Sequence, residues 1–234
     1  MPSDIANNIA NVRERIRRAC IKSGRPDNAV TLLAVAKTQT ASAVRAAHAA
    51  GVDDIGENYC QEGERKIAEL ANPGITWHFI GPLQSNKTRS VAELFSWVHS
   101  VDRIKIARRL SEQRPAQLPP LNICLQVNID AEASKSGIAP AELPTLIEEA
   151  MTLPHLRIRG LMAIPQPHME ADLRRDSFIR LRDLFDAERQ RWPQLDTLSM
   201  GMSADLETAI AAGATIIRIG TDIFGARPSQ PAGT

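Results

Sequence analysis

The stretch Thr31-Leu32-Leu33-Ala34-Val35-Ala36-Lys37-Thr38 decides how the rest of the chain is interpreted. It is a short, continuous apolar run, which is typical of a strand that is buried on both faces of a parallel sheet. A lysine, Lys37, comes at the end of the run. Because ligands bind at the carboxyl ends of the strands in parallel α/β folds, the run predicts Lys37 at the ligand-binding face.

Seven further strand-like runs follow, and each is followed by a helical pattern. They cover residues 53–57, 75–80, 95–101, 121–129, 156–164, 195–200 and 214–219. Strands that alternate with helices and form no hairpins indicate a parallel sheet. In a chain of 234 residues, this count favours a single (β/α)8 TIM barrel over an open doubly wound sheet.

An amphipathic helix precedes the first strand. Its apolar residues recur at helical spacing, with arginines on the other face, at positions 13, 15, 17 and 18. We expect these arginines to form a solvated face and not an anion site. Since no shift in composition marks a domain boundary, we expect one barrel domain over residues 1–227 and a flexible tail over residues 228–234.

Composition excludes several classes of partner. The chain has 28 basic and 27 acidic residues, and aromatic residues make up only 4% of it, which argues against a nucleic-acid surface. The three cysteines, Cys20, Cys60 and Cys124, are an odd number at wide spacing, so we expect reduced thiols and neither disulfides nor a zinc site. With no apolar signal core and no membrane-length apolar segment, we expect a cytoplasmic protein that does not bind membranes.

Two turns that combine glycine with a hydroxyl residue follow the last two predicted strands. The first contains Gly201 and Ser203, and the second contains Gly220 and Thr221. Barrels of this type often bind phosphate at this place, where glycine lets the backbone approach the ligand. Ser203 would cap the next helix. Each turn alone could be an ordinary tight turn, but the pair on adjacent strands predicts an anion site.

Arg218 interrupts the otherwise apolar last strand. A buried guanidinium must find acceptors, and we expect it to pair with Glu57 or Asp196, or to donate to a ring nitrogen of a ligand. A strand-end lysine and a phosphate site on the same rim then indicate a phosphorylated carbonyl compound held as a Schiff base. Lys37 would need a pKa below the usual value of about 10.4 to act as a nucleophile, and a cationic neighbour could lower it.

Several segments of the chain resemble the pyridoxal phosphate homeostasis protein family. The resemblance extends from the first helix to about Arg227, in order and at the spacing of the family. The segments that carry it are Leu33–Lys37, Gly56–Tyr59, Trp77–Lys87, Ser134–Gly137, Arg159–Ile164, Leu198–Ser203, Arg218–Thr221 and Ile223–Gly225.

The resemblance implies a barrel of the alanine-racemase type and pyridoxal 5'-phosphate as the cofactor. It implies that Lys37 holds the cofactor as a Schiff base and that Arg218 faces the pyridine nitrogen. The other residues it places at the cofactor are Asn58, Gly201, Ser203, Gly220 and Thr221. The roles of His78 and Asn86 stay open, and a solvated loop charge is the simpler interpretation of Lys87 and Lys135.

For function, the resemblance implies storage, buffering or delivery of the cofactor without an established reaction. We expect a monomer with pyridoxal-phosphate-dependent apoenzymes as candidate recipients. The alternative is an amino-acid racemase or related enzyme of low activity. The related racemases use a tyrosine of the partner subunit and a second domain. The single tyrosine here, Tyr59, is predicted to be a packing or rim residue. No second domain is expected after Gly225.

A third interpretation is a Schiff-base aldolase that acts on a sugar phosphate. No metal site is predicted, because the histidines lack metal-ligand spacing with carboxylates or cysteines. We expect packing or surface roles for His48, His99, His155 and His168.

Overall fold

In the computed structural model, residues 4–131, 136–165 and 170–225 are described. Within these ranges, eight parallel strands close into a barrel in chain order, with the first strand hydrogen-bonded to the last. The strands are β1 (Thr31–Val35), β2 (Asp54–Glu57), β3 (Thr76–Phe79), β4 (Trp97–Val101), β5 (Leu121–Gln126), β6 (Leu156–Met162), β7 (Thr197–Ser199) and β8 (Ile216–Ile219).

Helices surround the barrel, and one of them precedes β1. They are α1 (Ile5–Lys22), α2 (Ala41–Ala49), α3 (Cys60–Leu70), α4 (Thr88–Leu94), α5 (Ile104–Gln113), α6 (Leu143–Met151), α7 (Ala171–Arg191), α8 (Leu206–Ala211) and α9 (Thr221–Phe224). Short 3-10 turns at Ser85–Lys87 and Pro140–Glu142 lead into α4 and α6. The predicted barrel with an extra N-terminal helix is therefore confirmed. The predicted tail lies outside the described residues.

One helix begins later than predicted. The helix expected from residue 204 starts at Leu206, and Asp205 occupies its N-cap position. The Asp205 carboxylate instead accepts a hydrogen bond from the backbone N–H of Met202, at 2.6 Å. This contact closes a turn over residues 202–205, and the prediction that Ser203 caps the helix is wrong.

Alternation along the strands sorts side chains to the two sides of the barrel wall. Outward-facing residues such as Phe79, Leu198 and Ile217 join the main hydrophobic core beneath the helices. A separate small apolar cluster, formed by Leu33, Val35, Ile80 and Ile216 with Trp97 packed against it, fills part of the barrel interior. The inward positions between these residues are polar, so the barrel interior carries hydrogen-bonding groups up to its carboxyl end.

Helix α1 packs on α2, α8 and α9 through its apolar face. On the other face of α1, Arg13, Arg17 and Arg18 are exposed, as predicted, and Arg15 is half-buried. Arg13 donates to the carbonyls of Ala50 and Gly51, at 3.0 and 2.6 Å. Arg15 reaches the segments that follow β7 and β8. Arg17 and Arg18 pair with Glu14 at the surface, so the prediction of a solvated face fails only at Arg15.

All three cysteines of the sequence lie within residues 4–131, 136–165 and 170–225. All three cysteines are buried and free. In the same ranges, no group of three histidine, cysteine or acidic side chains is arranged to hold a metal ion. None of the helices in these ranges combines the length and apolar character needed to span a membrane.

Candidate functional site

A cavity of about 300 Å³ lies at the carboxyl ends of the strands. Six of the seven predicted site residues, all within the described ranges, line it: Lys37, Asn58, Ser203, Arg218, Gly220 and Thr221. Ligand sites are concave and combine apolar walls with a few polar groups, and apolar side chains such as Val35 and Ile80 complete this one. The cavity thus joins residues that are up to 184 positions apart in the sequence, from Lys37 to Thr221.

Lys37 is half-buried and follows β1 by two positions. The next residue, Thr38, has a left-handed backbone with φ of 65°, which is uncommon for a residue that is not glycine. Its backbone N–H donates to Glu62 Oε2 at 2.8 Å. This contact holds the turn in a conformation that aims Lys37 into the cavity.

A second lysine, Lys66, lies beneath this turn. Its ammonium is 1% exposed and donates to the carbonyl of Ala36, at 2.7 Å, and to Glu57 Oε1, at 2.6 Å. Burial raises the pKa of Glu57 to about 7, although the hydrogen bond from Lys66 opposes the shift. Lys66 therefore anchors the peptide immediately before Lys37.

Sequence reasoning did not single out Lys66. A signal was present, because Cys60, Gly63 and Lys66 follow at intervals of three residues and form the buried face of α3. A lysine on the buried face of an amphipathic helix requires a partner, and Glu57 and Glu62 provide it.

Arg218 is buried in the barrel interior, with 4% of the residue exposed. It donates to Ser199 O at 2.6 Å, to Ser199 Oγ at 2.8 Å and to Ala163 O at 3.0 Å. Burial lowers its pKa to about 10. Its hydrogen-bond partners are neutral oxygens, and the residue also lines the cavity.

The two carboxylates predicted as partners of Arg218 are wrong. Glu57 faces outward toward α3, on the other side of the barrel wall. Asp196 precedes β7, at the opposite end of the strand from the cavity, and pairs with Arg159 at 2.7 Å. The sign of the charge alone could not predict the partners of Arg218. Two groups meet only if they lie on the same side of the barrel wall and near the same end of their strands.

The segments after β7 and β8 supply the rest of the cavity wall. Ser203 lies in the first segment, and Gly220 and Thr221 lie in the second. Arg15 of α1 joins them: it donates to Ser203 O at 3.0 Å and to Asp222 Oδ2 at 2.6 Å. Arg15 thus ties together the two segments that bring Ser203, Gly220 and Thr221 to the cavity.

Gly201, the seventh predicted residue, does not line the cavity. It is buried with φ of +93°, and a Cβ added to it would lie 2.5 Å from the Ala209 Cβ. Its carbonyl accepts from the backbone N–H of Arg218 at 3.0 Å. The structure places Gly201 as a buried turn residue that packs against Ala209, two positions before Ser203.

Asn58 and Tyr59 separate two cavities. Asn58 lines the Lys37 cavity, and its Oδ1 is buried without a hydrogen-bond partner among the described residues. Tyr59 is 55% exposed and lines a neighbouring pocket of about 300 Å³ that also contains Lys87. Tyr59 is thus a rim residue. Asn86 is exposed beside this region, whereas Lys135 and His168 lie outside the described residues.

The remaining histidines of the described residues take packing or surface positions, and His99 also forms hydrogen bonds inside the barrel. His99 is fully buried and contacts His78 and Ser199 inside the barrel. His48 lies 2.9 Å from Asp53, and His155 is exposed. Sequence reasoning left His78 open and did not connect His99 with Arg218.

The sequence matches the family model for the alanine racemase N-terminal domain over residues 3–228. Its fold is also similar to that of alanine racemase from Corynebacterium glutamicum, with a TM-score of 0.69 at 14% identity, over 98% of this chain and 62% of that one. Fold and site therefore define a barrel of the alanine racemase N-terminal domain class.

Relatives with higher sequence identity show which family within this class the chain belongs to. The chain is 62% identical to the pyridoxal phosphate homeostasis protein of Pseudomonas aeruginosa over 96% of both chains. It is 54% identical to the pyridoxal phosphate homeostasis protein of Escherichia coli K12, over 96% of this chain and 97% of that one. The chain belongs to the pyridoxal phosphate homeostasis protein family.

A member of known structure shows the same architecture. PipY of Synechococcus elongatus, solved with pyridoxal phosphate bound, is 39% identical and superposes with a TM-score of 0.82. The match covers 94% of this chain and 100% of PipY.

Proposed function

We propose that the chain binds pyridoxal 5'-phosphate covalently, as a Schiff base on Lys37, and takes part in intracellular homeostasis of the cofactor by storing, buffering or delivering it. The observation that carries the proposal is the convergence of Lys37, Arg218 and the two hydroxyl-bearing segments on one cavity. Family membership and the ligand bound to PipY support it.

The cavity fits this cofactor in its charge and hydrogen-bonding groups. When bound, pyridoxal phosphate supplies an aldehyde that a primary amine can capture and a ring that can withdraw electrons. Lys37 supplies the amine. Ser203, Gly220 and Thr221 bind the phosphate through hydroxyl groups and backbone amides. Asn58, whose buried Oδ1 has no hydrogen-bond partner among the described residues, offers one more acceptor to the ligand.

Arg218 faces the ring nitrogen. A guanidinium has donors and no acceptor, so it can donate to an unprotonated ring nitrogen and disfavours a protonated one. A ring that stays unprotonated withdraws electrons more weakly, which favours binding over carbanion chemistry.

The position of Tyr59 supports a binding protein over a racemase. Two-base racemisation needs a second base opposite the lysine. Tyr59 is the only tyrosine of the sequence, and it lines the neighbouring pocket instead of the cavity that holds Lys37. We further propose that the protein acts as a monomer in the cytoplasm and that pyridoxal-phosphate-dependent apoenzymes receive the cofactor.

Absorbance of the purified protein tests the covalent link. With added pyridoxal phosphate, the native chain is expected to show a violet-region band that borohydride reduction makes permanent. Lys37→Ala should lose the band. Lys87→Ala is the matched control, because this lysine lines the neighbouring pocket and should leave the band unchanged. A native chain without the band, or a Lys37→Ala variant that retains it, would overturn the proposal.

Exchange of an amino-acid α-proton with deuterated solvent separates binding from catalysis. A binding protein is expected to give no multiple-turnover exchange with small amino acids. Exchange over many turnovers that disappears in Lys37→Ala would instead establish the racemase-like alternative.

A further inference from the structure

A chain of hydrogen bonds runs through the barrel interior from the cavity to the opposite end. Arg218 Nη1 lies 2.8 Å from Ser199 Oγ, which lies 2.8 Å from His99 Nδ1. His99 Nε2 lies 2.9 Å from His78 Nδ1. His78 Nε2 lies 2.9 Å from Asp54 Oδ1. Each contact has the length of a normal hydrogen bond, so the chain is continuous.

The carboxylate end of this hydrogen-bond chain imposes a direction, and the guanidinium end is compatible with it. Arg218 can only donate, so Ser199 Oγ accepts from it, which leaves the Ser199 hydroxyl proton available for His99 Nδ1. His99 then carries its proton on Nε2 and donates to His78. His78 in turn carries its proton on Nε2, and the Asp54 carboxylate, which can only accept, receives it. Every donor therefore points from the guanidinium toward the carboxylate.

Burial keeps the two histidines neutral, as this direction requires. His78 is 1% exposed and His99 is fully buried, and burial lowers the pKa of both rings. Trp97 stacks on His78 at 5.4 Å with an interplanar angle of 10°, which fixes the plane of that ring. In a low-dielectric interior, hydrogen bonds aligned in one direction polarise and strengthen one another.

Asp54 lies far from the cavity. It is the first residue of β2, at the amino end of the barrel, and its side chain is 31% exposed. It lines a pocket of about 390 Å³ together with Arg13, Arg17 and Asp53. The chain thus links a carboxylate at one end of the barrel to the guanidinium at the other.

We propose that Asp54 is a positioning residue, which acts through His78, His99 and Ser199 to hold Arg218 in the orientation that faces the ring nitrogen of pyridoxal phosphate. This inference rests on the proposed role of Arg218. Without the carboxylate, His78 is free to adopt its other tautomer, which reverses the chain. Ser199 Oγ then accepts a hydrogen bond from His99 Nδ1 as well as from Arg218, its own hydroxyl proton no longer has His99 as acceptor, and the hydrogen bond from Arg218 to Ser199 Oγ weakens.

The protonation of the histidines gives the first test, without cofactor. In nitrogen-labelled native protein, correlation spectra of the imidazole rings should show both His78 and His99 neutral, with the proton on Nε2. Asp54→Ala should populate both tautomers. Asp53→Ala is the matched control, since this neighbouring carboxylate lines the same pocket but takes no part in the hydrogen-bond chain from Asp54 to Arg218. A native His99 protonated on Nδ1, or native tautomers in Asp54→Ala, would overturn the inference.

The ring nitrogen of isotope-labelled pyridoxal phosphate gives the second test. Its resonance should shift in Asp54→Ala and stay unchanged in Asp53→Ala, and the affinity should fall about fivefold in Asp54→Ala alone, the size expected for weakening one charge-assisted hydrogen bond. Changed histidine tautomers with an unchanged ring-nitrogen resonance would show that the hydrogen-bond chain has no effect on the cofactor, and the inference would fail.

Ser199→Ala keeps the test decisive if Asp54→Ala does not fold. It cuts the chain between His99 and Arg218, so the ring-nitrogen resonance should shift while both histidines keep their native tautomers, which Asp54 still imposes. Altered tautomers or an unaltered resonance in this variant would contradict the inference. Failure of the proposed function is distinguishable, because the native chain would then show no ring-nitrogen resonance of bound cofactor at all.

Discussion

At the scale of single residues, the site depends on a buried ion pair that takes no direct part in ligand binding. Lys66 and Glu57 are almost fully buried, and their contact holds the carbonyl of Ala36. A buried pair of this kind contributes little net stability, because both charges lose hydration. Its effect here is geometric, since it fixes the peptide that carries Lys37.

Glu57→Gln is expected to change how stability depends on pH. The pKa of Glu57 rises from an ordinary 4.5 to about 7 on folding. Between these values the folded chain holds a proton that the unfolded chain has released, so the free energy of unfolding decreases as pH rises through this window. The decrease is about 3 kcal/mol for one such group.

Urea unfolding at a series of pH values measures the effect. The unfolding free energy of the native chain minus that of Glu57→Gln should decrease by about 3 kcal/mol as pH rises from 4.5 to about 7. Glu69→Gln, an exposed position on the same helix, should give a difference that does not change with pH. A difference for Glu57→Gln that does not change with pH would contradict the raised pKa of Glu57 in the folded protein.

At the scale of secondary-structure elements, α1 is part of the site although it contributes no residue to the cavity. Arg15 on this helix contacts Ser203, Glu207 and Asp222, which belong to the segments after β7 and β8. The amphipathic pattern of α1 predicted its packing face. It could not show which arginines on the other face reach a partner, because that depends on segments about 190 residues away.

Arg15→Met is expected to weaken cofactor binding more than it weakens folding. The side chain is 37% exposed, so its ion pairs contribute at most about 1 kcal/mol to stability. Loss of the bond to Ser203 O loosens the segment that we propose binds the phosphate, and the affinity for pyridoxal phosphate should fall about fivefold.

Titration of absorbance gives the affinity, and urea unfolding gives the stability. Arg18→Met is the matched control, because Arg18 is on the same helix, is 74% exposed and pairs with Glu14. Equal losses of affinity in the two variants would show that α1 acts only through general stability.

At the scale of the whole molecule, barrel closure brings the site residues together. β6 and β7 approach closely at Gly160, where a Cβ would lie 1.8 Å from the carbonyl oxygen of Thr197. Backbone atoms cannot move away from such a contact without disrupting the pairing of the two strands. The wall next to Ser199 and Arg218 therefore depends on a residue without a side chain at this position.

Gly160→Ala is expected to destabilise the whole barrel. The clash with β7 should lower the free energy of unfolding by about 3 kcal/mol, as overpacking against backbone does. Gly24→Ala is the control: its φ is +66° and nothing lies within 4 Å of the added Cβ, so only backbone strain of about 1 kcal/mol is expected. Urea unfolding compares the two variants. Similar losses of unfolding free energy would show that the close contact between Gly160 and Thr197 does not decide the stability of the barrel.

Local patterns predicted the architecture and most of the cavity. Each strand run and each helix period depends on neighbours within a few residues, and the order of these elements is enough to indicate a closed parallel barrel. Because all strands then end at the same rim, Lys37, Ser203, Gly220 and Thr221 were correctly brought together before any contact was known.

The partners of buried charges were decided only by the tertiary structure. Arg218 finds its acceptors 19 and 55 residues away, and Lys66 finds the carbonyl next to Lys37. The same applies to the chain from Asp54 to Arg218, whose members lie on different strands. The sequence by itself determined which residues share a rim, since strand direction is a local property. Which polar atoms meet depends on barrel closure and on the face that each residue presents, and these are properties of the whole fold.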